Sequence, residues 1–133
     1  VRTAERAFEA LRRPIDGKPR VIAEVKFRSP SAGVIRARRP GEAQRLACAY
    51  VDGGASAVSV LADGPAFGGS PLDVRRVSET VSVPVLFKGF VLDDASAADL
   101  ARVAVGRVDA VRVGEGLARE ADPAATLRAW LAD

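Results

Sequence analysis

The feature that most limits what this chain can fold into is a repeated change of hydrophobic period. Along its 133 residues the apolar positions recur alternately at spacings of about 2 and about 3.6, which spells strand, helix, strand, helix in order. The pattern predicts a helix over 3–12 closed by Pro14 and Gly17, a strand over 21–27, and a helix over 41–52 ended by Gly53 and Gly54. A strand over 57–61, a glycine-rich loop over 63–70, a helix over 71–80 and a strand over 83–87 delivering Lys88 come next. A helix over 94–105, a strand over 109–113 and a last helix opened by Asp122 as N-cap and Pro123 complete the series. Four βα units with short connections require parallel strands joined by crossovers, as in a doubly wound sheet or a (βα) barrel. The length is that of a single domain, 1–133, burying roughly 68% of its unfolded surface.

Charge sits where core belongs in the run Val21-Ile22-Ala23-Glu24-Val25-Lys26-Phe27-Arg28-Ser29-Pro30-Ser31. A strand opening with Val, Ile and Ala is a buried strand, and an unpaired Glu or Lys inside it is costly unless the two satisfy each other or a ligand. Alternation turns Glu24 and Lys26 to one face, just before a Ser-Pro-Ser turn. Glu24, Lys26, Lys88 and the Phe67-Gly68-Gly69-Ser70 loop all fall at the carboxyl ends of strands, the face on which (β/α)8 enzymes build their sites, and this favours the barrel.

Composition narrows the chemistry. With no His and a lone Cys48, His-dependent triads, His-ligated zinc and Cys-based metal sites are excluded, so proton transfer falls to Lys, Glu, Asp or Tyr. No apolar stretch approaches the roughly 20 residues needed to cross a bilayer, and the first residues lack the apolar core of a signal peptide. A cytoplasmic protein with no membrane partner is expected. The net charge of +3 comes mostly from scattered arginines; Arg36, Arg38 and Arg39 cluster, but without the interleaved aromatics of a nucleic-acid face, so no nucleic-acid partner is expected.

Ala23-Glu24-Val25-Lys26 with Ser29-Pro30-Ser31, then Gly54-Ala55-Ser56-Ala57-Val58-Ser59-Val60-Leu61, Phe67-Gly68-Gly69-Ser70 and Pro84-Val85-Leu86-Phe87-Lys88-Gly89-Phe90 together resemble the indole-3-glycerol phosphate synthase family. The resemblance covers a leading extra helix and the first four βα units. It implies an α/β fold that is half of a TIM (β/α)8 barrel, (βα)4 with parallel strands and an extra N-terminal helix. It further implies a carbon–carbon lyase of tryptophan biosynthesis, which closes a carboxyphenylamino-deoxyribulose phosphate to an indole with loss of carbon dioxide and water, with no cofactor and no metal.

Carried over residue by residue, the resemblance makes Lys88 the general acid, Lys26 a contact for anionic parts of the substrate and Glu24 the carboxylate that positions both lysines. Ser29, Phe67 and Phe90 become substrate contacts, Phe90 as an apolar wall against the anthranilate ring. Some positions depart from the family pattern: Gly89 replaces an Asp, Phe87 a basic or long side chain and Arg39 the Asp before Pro40, while Arg112, Gly114 and Glu115 interrupt an aliphatic strand. Two further readings stand beside a catalytic one. A lone half-barrel leaves two edges and an apolar inner surface, which a second copy in a homodimer or a complementary half-barrel chain would cover. A non-catalytic protein would keep the lysines as an anion or phosphate site without turnover. The expected ligand in each case is a phosphorylated, anthranilate-derived small molecule.

Overall fold

The computed structural model describes residues 3–12, 20–90, 110–112, 121–122 and 124–126. Among these, α1 is Thr3–Leu11, β1 Ile22–Val25, β2 Arg28–Ser29, β3 Gly33–Val34, α2 Glu42–Asp52, β4 Ala57–Leu61, α3 Gly64–Phe67, α4 Pro71–Ser78, β5 Val85–Lys88 and β6 Ala110–Arg112. Four strands form one sheet in the order β1-β4-β5-β6, with every neighbouring pair parallel. The chain is therefore an α/β protein with a parallel sheet, as the alternating periods require. The helix expected over 94–105 lies outside the described residues, as do Gly114 and Glu115; of the last expected helix, residues 124–126 are described and helical.

β4 is the centre of this sheet, buried at all five positions between β1 and β5. Pairing places Val25 beside Val60, and Val58 beside Val85, on one face. That face carries the core, in which Val25, Val58, Val60, Val74, Val77, Val85 and Ala47 are almost fully buried. α2 and α4 supply its cover, packing on each other and on β4. The β-branched residues suit this role because their stiff side chains stack well on a pleated surface. Register sends Glu24, Ser59, Leu61, Leu86 and Lys88 to the opposite face.

Element ends follow local hydrogen bonding. α4 opens on Ser70, whose Oγ accepts from the Leu72 N–H at 3.1 Å, with Pro71 in the first turn. The loop expected over 63–70 contains the short α3, because the Asp63 carboxylate accepts from the Ala66 N–H at 2.8 Å and caps a turn. β5 begins at Val85 rather than Val83, since Pro84 has no N–H to give the ladder; its carbonyl accepts from the Val58 N–H at 3.0 Å. β1 stops at Val25 because the Phe27 carbonyl turns away to accept from Ile35 N–H at 2.9 Å and Arg36 N–H at 3.1 Å. Between them the chain folds back as the antiparallel β2–β3 pair, turning through Gly33 at φ 66°.

Because Val60 is 0% exposed in the central strand, Val60→Ala should lower unfolding stability by roughly 2–3 kcal/mol. Leu72→Ala, at a side chain 54% exposed, should stay within about 0.5 kcal/mol of the parent. Urea unfolding of the two variants measures the contrast, and equal losses would place the core elsewhere.

Candidate active site

The parallel pairing brings three of the expected residues together at the carboxyl end of the sheet. Glu24 on β1 bridges both lysines: Lys26 Nζ lies 2.9 Å from its Oε1, and Lys88 Nζ donates a short hydrogen bond to Oε2. Each of these side chains is between a quarter and a third exposed, half-sunk rather than free in solvent. Burial on its own pushes the Glu24 carboxyl up, but the hydrogen bonds and positive charges of Lys88 and Lys26 outweigh it and hold the carboxyl below the usual glutamate value. Glu24 is thus an anion at neutral pH, and the two ammonium groups sharing it remain directed toward a common point.

Tyr50, on the buried stripe of α2, donates from its hydroxyl to the Glu24 carbonyl at 3.1 Å. This bond ties β1 to its following helix at the position where the charge cluster begins. The helical pattern over 41–52 does not single out Tyr50; a hydroxyl among the apolar residues of that helix is the available signal, since a phenol drawn toward the core needs a partner. Ser59, aligned with Glu24 in the register, is 5% exposed and its Oγ has no hydrogen-bond partner among the described residues.

The proposed substrate contacts divide into two groups. Phe67, at the end of α3, and Phe90, just past β5, stack with ring centroids 6.1 Å apart and planes 28° from parallel; Phe90 is 48% exposed. They form an apolar pair beside the strand end that carries Lys88. Ser29 is almost buried and works within its own turn, where its Oγ accepts from the Ala32 N–H at 3.0 Å and lies 3.4 Å from the Ser31 Oγ. Gly69 explains the glycines of the intervening loop: a Cβ there would come within 1.9 Å of the Leu61 carbonyl oxygen, so the backbone crosses the strand end where no side chain fits.

Arg38 was legible only as part of a basic cluster, and its role is structural. It ion-pairs with the buried Asp73 of α4 at 2.8 Å, donates to the Gly68 carbonyl and sits 5.2 Å above the Phe27 ring. One side chain thereby fastens the segment before α2 to both α4 and the loop carrying Phe67.

A half-buried carboxylate holding two lysines at the carboxyl ends of parallel strands, flanked by an aromatic pair, marks an α/β protein with a charged cluster on the end of the sheet where (β/α)8 proteins keep their sites. The indole-3-glycerol phosphate synthase family model matches residues 2–104, and the chain belongs to that family. It is similar to proteins named indole-3-glycerol phosphate synthase from Neisseria meningitidis, with 49% identity over 77 residues, 57% of this chain and 28% of that protein. For that of Chlorobium luteolum the identity is 47% over 90 residues, 68% and 34%, and for that of Deinococcus radiodurans 43% over 109 residues, 79% and 40%. The match thus spans well under half the length of these relatives. Among the described residues no helix is long and apolar enough to cross a membrane.

The Glu24 pair predicts an acid-side stability loss. A carboxyl held below its usual value of 4.5 contributes stability that is fully present above that value and disappears as pH falls through the lower, folded-state value. Glu42, lowered by hydrogen bonds from Arg45 and Arg36, adds a second contribution in the same window. Urea midpoints followed from neutrality to below the ordinary glutamate range should therefore fall for the parent and fall less steeply for Glu24→Gln. An unchanged slope in the variant would remove the assigned coupling.

Proposed function

We propose that this chain carries the amino-terminal part of an indole-3-glycerol phosphate synthase site, in a single (βα)4 half of a (β/α)8 barrel. The observation that supports it most directly is the Glu24 carboxylate held between Lys26 and Lys88 at the carboxyl end of the parallel sheet. In this reading the carboxyphenylamino-deoxyribulose phosphate lies with its anthranilate ring against Phe67 and Phe90 and near Ser29. Lys26 faces an anionic group of the substrate. Lys88 gives a proton to the substrate carbonyl oxygen as the ring carbon bearing the carboxylate attacks the carbonyl carbon, so that a C–C bond forms and the oxygen becomes a hydroxyl. Loss of carbon dioxide returns the electron pair of the broken C–C bond to the ring; the hydroxyl then takes up a proton and leaves as water while the adjacent carbon beside nitrogen gives up a proton, and the C–H electrons form the double bond that completes the indole. Glu24 orients both lysines throughout. The inner face of the half-barrel is completed by a second copy or by a complementary half-barrel chain.

A second reading has its own support. Gly89, where the family pattern carries an Asp, removes a charged neighbour of Lys88, and this favours a protein that binds the phosphorylated ligand without turning it over.

The test is indole-forming turnover on this substrate, read by indole fluorescence, for the chain alone and mixed with the carboxyl-terminal remainder of the Deinococcus radiodurans relative. Turnover in either sample, falling by about 10²–10⁴-fold in Lys88→Ala, is the expected result. Turnover that survives Lys88→Ala unchanged overturns the general-acid role. Saturable binding with no indole in either sample selects the binding protein.

A further inference from the structure

The helix-covered side of the sheet, opposite the face that carries Glu24 and Lys88, has a cleft of its own. A pocket of about 330 Å³ lies between Phe27, the amino end of α2 and α4, within the range of about 300–1,000 Å³ typical of small-molecule sites. Its walls are charged, yet the carboxylates in them are already engaged. Glu42 accepts from Arg36 Nε at 2.6 Å and from a terminal nitrogen of Arg45 at 2.7 Å, and Asp73 pairs with Arg38. Besides Arg38, the lining holds Arg39 and Arg76, which have no side-chain partner among the described residues and are exposed. Within the lining, Arg38, Arg39 and Arg76 thus meet two carboxylates, while Arg36 and Arg45 reach Glu42 from outside it, so Arg39 and Arg76 supply the pocket's unspent positive charge.

The amino end of α2 adds to that excess. Gly41 occupies its N-cap at φ 73° and offers no side-chain oxygen, so no side chain caps the helix. The Glu42 N–H donates to the Arg39 carbonyl at 3.0 Å, while the positive end of the helix dipole at Gly41, Glu42 and Ala43 lines the same pocket as Arg39 and Arg76 and favours an anion there. Two unpaired guanidinium forks suit an oxyanion with several acceptor oxygens, whereas a simple halide would use neither fork. We propose that this pocket binds a phosphate-type oxyanion, free or carried by a small phosphorylated metabolite, at a site separate from the Lys26–Lys88 cluster and through Arg39, Arg76 and the first turn of α2.

The experiment is a titration of the ¹⁵N-labelled protein with inorganic phosphate and with pyrophosphate at constant ionic strength, repeated for Arg39→Ala/Arg76→Ala and for a Lys26→Gln/Lys88→Gln control. Far-UV circular dichroism verifies the fold of each; both arginines are on the surface, so their truncation leaves the core intact. Saturable shifts at the amides of Gly41 to Gln44, tighter for pyrophosphate, weakened at least tenfold by the arginine double variant and retained in the lysine control, are expected. Phosphate distinguished from pyrophosphate by affinity tells a bare anion site from one shaped for a longer phosphorylated ligand. Shifts confined to residues around Lys26 and Lys88, shifts that never saturate, or equal affinity in the arginine variant would each overturn the proposal.

Discussion

The charge cluster exists because a strand separates its members. Glu24 and Lys88 stand on β1 and β5, which do not pair with each other; β4 lies between them. Neighbouring strands are about 4.8 Å apart, so the two backbones are roughly 10 Å apart across the sheet. Only an extended Glu meeting an extended Lys above the central strand can close that gap. Register sets the rest: Glu24 aligns with Ser59 and Ser59 with Leu86, leaving Lys88 one same-face position further toward the carboxyl end. The lysine must lean back over Leu61 to reach the carboxylate. A slip of one residue in either ladder would turn one of the partners into the valine core, so the burial of β4 on both faces and the geometry of the site are enforced together.

Separation of the faces also divides the positive charge. On the face of the sheet that carries Glu24, two ammonium groups share one carboxylate, which leaves an excess of one positive charge. On the helix side the arginines form a different kind of network, in which buried Glu42 and Asp73 fix three guanidinium groups as struts. Burying either acid would be unfavourable without those partners. Arg38 couples the two regions mechanically, since the loop it grips through Gly68 also carries Phe67 to its stack with Phe90.

Much of this was readable from the order of residues, and where it was not the reason is local. The strand over 57–61 is legible to the residue because it is a short apolar run, broken only by the small Ser59 and bounded by Gly54 and by Asp63-Gly64-Pro65. The strand containing Glu24 was read too long, since Phe27 looks like a strand residue while its carbonyl serves the β2–β3 turn instead. That two-residue ladder has no periodic signal and was visible only as a turn. Glu24, Lys26 and Lys88 were legible as a site because charge in a buried strand needs an explanation. The Tyr50 bond and the Arg38–Asp73 pair were not, because each joins segments 26 and 35 positions apart through side chains common on any surface or core stripe.

Two of the departures from the family pattern are one steric event. Phe87 points into the core at 7% exposure, on the face opposite Lys88. A Cβ at Gly89 would lie 2.8 Å from its ring and 3.7 Å from the Ala62 Cβ. Any side chain at 89 must therefore displace a buried aromatic ring, and an aspartate would in addition bring a charge against apolar packing. With the Phe87 ring in this place, glycine is the residue at 89 that leaves it undisturbed. With no carboxylate next to it in the chain, Lys88 depends on the partner supplied from β1, and Glu24 becomes the group that fixes where its ammonium points.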